Sequence, residues 1–201
     1  MIIDSLDKLR TLYNAPKPRA LQKQLSALDE HCRRFIALSP FAVVSSTSAA
    51  HTMDASPRGG APGFVQVHDD RTLLIPDAPG NNRLDTLHNI IETGTLGLIF
   101  LIPGVDETLR INGRARLSCL AEHLQLFAVE KNPPKLVIEL QVQEAYLHCA
   151  KSLMRSKLWH TSSQVPRTAL PTMGQMINSQ TGATTPAETE EEMLARYAAD
   201  L

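Results

Sequence analysis

The segment DASPRGGAPGF, residues 54–64, constrains this chain more than any other. It sets Asp54, Ser56 and Arg58 within five residues and follows them with three glycines and a proline. An apolar run of period-two character comes next at 64–67. A turn at His68-Asp69-Asp70-Arg71 then leads into a second short run, Thr72-Leu73-Leu74-Ile75. The segment 76–80 breaks the chain again, and Asn81-Asn82-Arg83 opens a predicted helix to Ile91 with an asparagine at its cap. An apolar strand at 96–102, a turn at 103–106 and a third strand at 108–117 complete the stretch. The third strand carries Arg110, Arg114 and Arg116 on alternate positions. Hairpins interrupted by one helix, with arginines at element ends, point to a small barrel that holds an anion.

The flanks read as helical. Ser5 caps a short helix bearing Leu6, Leu9 and Leu12, and a longer helix over 19–38 aligns Leu21, Leu25, Leu28, Cys32, Phe35 and Ile36. Its charged face places it across the barrel. Ser39-Pro40 ends it, and the first strand begins at Phe41. Residues 45–53 read as a strand end or a loop beside the site. Beyond the central stretch the pattern predicts a helix over 121–130, a break at Asn132-Pro133-Pro134, and the longest alternating strand at 135–146. A short helix then runs to Trp159, residues 160–187 form an extended arm, and an acidic helix over 188–201 is capped at Thr185 or Thr189. These fit one domain over 1–201: N-terminal helices (1–40), barrel core (41–159), and C-terminal arm and helix (160–201).

Charge and cysteines narrow the partners. With a net charge of −1 and scattered basic residues, the chain carries no nucleic-acid footprint. It has no apolar run of membrane-spanning length, and its N-terminus lacks the apolar stretch of a secretory signal. Three widely spaced cysteines argue against a disulfide framework. A cytoplasmic setting is expected.

The motifs SPRGGAPGFV, IPD, GNNR and ETLRINGRA occur in that order, and HCAKSLMRSKLW follows at 148–159. Together they resemble a branch of the pyridoxamine 5′-phosphate oxidase family, over most of the chain. The resemblance implies a mainly β fold with peripheral helices (α+β), the FMN-binding split β-barrel. It also implies a homodimer with FMN at the subunit interface and oxidoreductase activity on a small-molecule substrate. A flavin-binding or sensor protein without turnover is one alternative, and a haem-binding or haem-degrading protein on the same barrel is another.

A bound FMN phosphate calls for an arginine fork and free N–H groups at a helix start. Arg83, after the Asn81-Asn82 cap, supplies both. As a bare surface residue it would sit unfavourably against the helix dipole, which favours the ligand reading. The residues alone leave Ser56-Pro57-Arg58-Gly59-Gly60 open between a glycine-rich hairpin turn and a site; the resemblance favours the site. It also puts Ile75, Pro76 and Asp77 beside the flavin, although an acidic turn is the plainer reading. Where the broader family has a serine-arginine-lysine run, this chain has Asn81, Asn82 and Arg83, one cation short, so Arg58 or Arg110 is expected to compensate. The family's glutamine falls at Thr108, and its pyridoxine-phosphate-recognising C-terminal arginine has no match, so vitamin B6 oxidation is not implied. Arg155 and Trp159, read as one short helix, are expected to reach the site across the dimer, with Trp159 either covering the flavin edge or serving only as a hydrophobic anchor of the subunit interface. His148-Cys149 reads as a packed strand-to-helix corner, since neither a base with its orienting group nor a full ligand set assembles around it.

Overall fold

The structure, a computed structural model, describes residues 2–78 and 80–198. Seven strands form one sheet in the order β2-β1-β5-β6-β7-β4-β3, every pair antiparallel. They are β1 Phe41–Thr47, β2 Met53–Gly59, β3 Gln66–Val67, β4 Thr72–Pro76, β5 Thr95–Ile102, β6 Val105–Ser118 and β7 Val137–His148. The α+β split-barrel expectation is met. Alternation is clean where one face is covered: Ala42, Val44 and Ser46 of β1 and Leu96, Leu98 and Phe100 of β5 point into the core. In β4 the alternation disappears, and residues 72–75 are all buried. Leu73 and Ile75 enter the main core, whereas Leu74 packs outward with Val137 and Phe127 against Leu124.

Glycine decides one irregular point. Gly113 sits where the β6–β7 register slips by one residue, and a Cβ there would lie 1.9 Å from the Gln141 carbonyl oxygen. No residue with a side chain fits that bulge without backbone movement.

The helices depart from the sequence reading in several places. Ser5 does cap α1 (Leu6–Arg10). The predicted long helix is instead two, α2 (Pro18–Gln22) and α3 (Glu30–Leu38). Between them Leu25 bridges to Ala145 through backbone hydrogen bonds of 2.9 and 2.8 Å, so sheet pairing overrides the helical spacing. Asp29 then starts α3 by accepting from the Cys32 N–H at 2.8 Å. Leu28, Cys32, Phe35 and Ile36 enter the core, while Leu21 stays exposed. Helix α4 (Asp85–Thr93) seats Leu87 and Ile90 in the same core and donates from Asn89 to the buried Ser46 hydroxyl at 2.9 Å.

Helix α5 spans only Ala121–Gln125, shorter than the 121–130 reading, and is followed by turns. Helix α6 (Lys151–Ser156) ends at Lys157, whose φ of 51° and whose bonds from Lys157 N to Met154 O and Leu158 N to Leu153 O close a Schellman turn. The expected arm contains a further helix, α7 (Met173–Thr181), with a Thr172–Gln175 capping box. Helix α8 (Glu190–Tyr197) is capped at Thr189. Residues 199–201 of the expected acidic helix, and Pro79 of the expected break, lie outside the described residues. No helix among the described residues is long and apolar enough to cross a membrane.

Candidate functional site

The core face of the sheet edge carries a connected set of polar side chains. Ser56, Pro57, Arg58 and Gly59 lie in edge strand β2, paired to β1, and not in a hairpin turn. Proline is tolerated there because an edge strand needs no second ladder. Period-two geometry puts Asp54, Ser56 and Arg58 on one face, across from Ser46, Val44 and Ala42. Strand β4 delivers Asp77 just beyond Pro76, and the start of α4 brings Thr86, which is buried.

These groups are wired together. The Ser56 hydroxyl donates to Asp54 at 3.0 Å, and Thr86 Oγ1 donates to Asp54 Oδ2 at 2.6 Å. Arg58 donates to the Pro57 carbonyl at 3.0 Å and reaches Thr86 Oγ1 at 3.5 Å. Among the described residues Arg58 forms no salt bridge, although it is half-buried. Burial pushes the Asp77 carboxyl above its ordinary range, against the opposing pull of the Arg58 charge.

The Asn81-Asn82-Arg83 reading needs correction. Helix α4 starts two residues later than Arg83, with Leu84 at its cap in a left-handed conformation and no side-chain cap. Asn81 Oδ1 instead accepts from the Arg83 N–H at 3.1 Å, a local Asx turn, and Asn82 takes φ 58°. Short polar side chains compete with the helix in this way and delay it. Arg83 is exposed in that loop and pairs with Asp85 at 2.8 Å, which holds its guanidinium above its ordinary pKa.

Other expected site residues lie elsewhere. Arg110 faces away from Arg58: its row across the sheet is Ile99, Val43 and Pro57, whereas the Arg58 row is Ala42, Phe100 and Leu109. Within one chain it therefore cannot replace the cation missing beside Arg83. Thr108 pairs with His148 on that same outer face. Ile75 is in the core. Arg155 donates within α6 to the Lys151 carbonyl. Trp159 lies past the Schellman turn, off the helix it was expected to share with Arg155, and its indole N–H donates to the Val105 carbonyl at 2.9 Å.

Two groups of the cluster were missing from the sequence reading of the site. Asp54 was legible from its alternation with Ser56 and Arg58. Thr86 was not, because only the fold brings it across to β2. The cysteines add no nucleophile to this cluster; burial raises the Cys32 thiol to about 11.

The pyridoxamine 5′-phosphate oxidase family model matches residues 28–149, well over half of the chain. No curated protein matches. Among solved structures, tagged HupZ of Group A Streptococcus is similar at 16% identity and a TM-score of 0.51, over 60% of this chain and 93% of that one. A histidine-to-alanine variant of that protein gives the same identity and TM-score over 98% of its chain. A protein related to general stress protein 26, from Clostridium acetobutylicum, is 8% identical with a TM-score of 0.42, over 60% of this chain and 90% of that one. Identities this low speak for the fold alone, and of these three only the HupZ pair reaches the level at which they do.

Proposed function

Because the chain belongs to the pyridoxamine 5′-phosphate oxidase family over residues 28–149, we propose that it is an FMN-binding oxidoreductase. It works as a homodimer on a small-molecule substrate. One observation carries the reading: half-buried Arg58, without a carboxylate partner among the described residues, stands beside buried Thr86 at the start of helix α4. A half-buried guanidinium in no ion pair among the described residues, next to the N–H groups of a helix start, fits a phosphate.

The remaining residues fit the cofactor in kind. Asp54 does not oppose the phosphate freely, since Ser56 and Thr86 both donate to it. Gly80 leaves open space where a Cβ would sit, so a ligand can approach the loop backbone there. Arg83 swings from Asp85 to the phosphate, exchanging one anion for another. The backbone at Ile75, Pro76 and Asp77 borders the ring edge. Asp77 holds its proton to higher pH than an ordinary carboxylate, which suits it to give or accept one beside the ring. Thr108, Arg155 and Trp159 contribute across the subunit interface. The flavin, when bound, supplies the redox chemistry, and these residues bind and orient it.

The visible absorption spectrum of the purified protein, with the extracted cofactor identified by mass, tests this reading. FMN is the expected cofactor. A protein that neither carries a flavin nor takes one up contradicts the proposal. Steady reduction of the bound flavin by NAD(P)H separates an enzyme from a flavin-binding protein without turnover.

A further inference from the structure

Three arginines are half-buried among the described residues: Arg33, Arg58 and Arg110. Arg33 is paired with Asp70, whereas Arg58 and Arg110 form no salt bridge among the described residues. The two unpaired ones lie in adjacent rows of the sheet but on opposite faces, three strands or about 14 Å apart.

The surroundings of Arg110 are cationic and aromatic. Arg110 donates to the Tyr146 hydroxyl at 3.0 Å, and its guanidinium carbon lies 5.7 Å from the centre of that ring. Lys23, brought in by the chain segment that bridges to β7, sets its ammonium 5.6 Å from the same ring centre. The His148 ring is 6.4 Å from that of Tyr146. Glu144, two residues along the strand, is engaged by the amides of Gln24 at 2.8 Å and Asn112 at 3.0 Å rather than by either cation. Two cations thus flank one phenol; the Lys23 ammonium is held by the Leu147 carbonyl at 2.7 Å, and among the described residues neither cation is bound to a carboxylate. Like charges are normally kept apart unless an anion joins them.

We infer that Lys23, Arg110 and Tyr146 form a second anion-binding site, on the outer face of the sheet, for the carboxylate or phosphate oxygens of a small molecule. Arg110 spends one N–H on Tyr146 and retains others for a two-point contact, while Lys23 adds a point charge. The site does not depend on the cofactor reading of the Arg58 face.

Inorganic pyrophosphate is the probe, titrated into the full-length protein at constant ionic strength and followed by near-ultraviolet difference absorption of tyrosine. Of the three tyrosines, Tyr146 carries the signal, so Tyr146→Phe abolishes it. The expected result is a saturable change in the wild type. Arg110→Gln weakens it at least about tenfold, as loss of a charge-assisted hydrogen bond requires, and Lys23→Met weakens it several-fold. Arg34→Gln, an exposed control for charge alone, leaves it unchanged. Lys23 is exposed, so its variant keeps the test valid if Arg110→Gln does not fold. A second arm adds FMN. Displacement of pyrophosphate identifies the anion as the cofactor's phosphate, and simultaneous binding identifies a separate small molecule; both support the site. No saturable signal in the wild type, or a signal unchanged in both Arg110→Gln and Lys23→Met, overturns it.

Discussion

The Thr86 hydroxyl donates a 2.6 Å hydrogen bond to Oδ2 of Asp54, tying the first turn of α4 to edge strand β2. This contact holds the cluster together, because Asp54 also receives Ser56 and Thr86 Oγ1 lies 3.5 Å from the Arg58 guanidinium. Thr86→Val keeps the volume and removes the donor. A hydrogen bond to a charged group contributes about 1.5–3 kcal/mol. The melting temperature should therefore fall by roughly 3–12 °C for a chain of this size, with weaker FMN binding. Calorimetry and a flavin titration check both; a variant unchanged in both would leave Thr86 without a role.

Gly113 predicts a purely structural effect. Gly113→Ala drives a methyl group against the Gln141 backbone, where the nearest atom is 1.9 Å away. The cost is about 3 kcal/mol, the upper end for overpacking, since backbone yields less than side chains do. Chemical denaturation of the variant measures it, and a loss below about 0.5 kcal/mol would show that the bulge is not fixed by steric need.

Asp29 links helix capping to pH. The Cys32 backbone N–H it accepts holds its carboxyl below the ordinary value of 3.8. Its stabilisation is therefore present above the unfolded pKa and is lost as pH falls through the lower folded one. At neutral pH Asp29→Ala should cost about 1 kcal/mol, or roughly 2–4 °C, and Asp29→Asn much less. The gap between Asp29→Ala and wild type should narrow as the solution is made acidic enough to protonate Asp29. Melting curves across pH check the sign, and a gap that widens in acid would refute it.

Trp159 tests whether the site is shared between two subunits. It is the only tryptophan, and in one chain its indole N–H is bonded to the Val105 carbonyl. If the site is completed across a dimer with Trp159 near the ring, FMN quenches the tryptophan fluorescence strongly. Trp159→Ala then weakens FMN binding while the dimer survives gel filtration. Undiminished fluorescence would leave Trp159 an anchor only.

Much of this was legible in the sequence, at the level where local periodicity and burial agree. Strand β5, with one covered face, could be read from its alternation. The misreadings came where distant pairing decided the outcome. Leu25 had helical spacing but gave its backbone to Ala145, far along the chain. Asn81 looked like a helix cap and formed an Asx turn, because the loop had to pass through left-handed Leu84 before α4 could begin. Arg58 and Arg110 both read as anion ligands, but the register that separates them to opposite faces exists only once β2, β1, β5 and β6 are paired.

The most direct test of the central claim compares FMN with riboflavin on the apoprotein, in the wild type and in Arg58→Ala and Arg83→Ala. If Arg58, Arg83 and the start of α4 hold the phosphate, the wild type prefers FMN at least about tenfold. Both substitutions erode that preference while leaving riboflavin affinity and the melting temperature nearly unchanged. Equal affinity of the wild type for FMN and riboflavin, or a full FMN preference in both variants, would contradict the account.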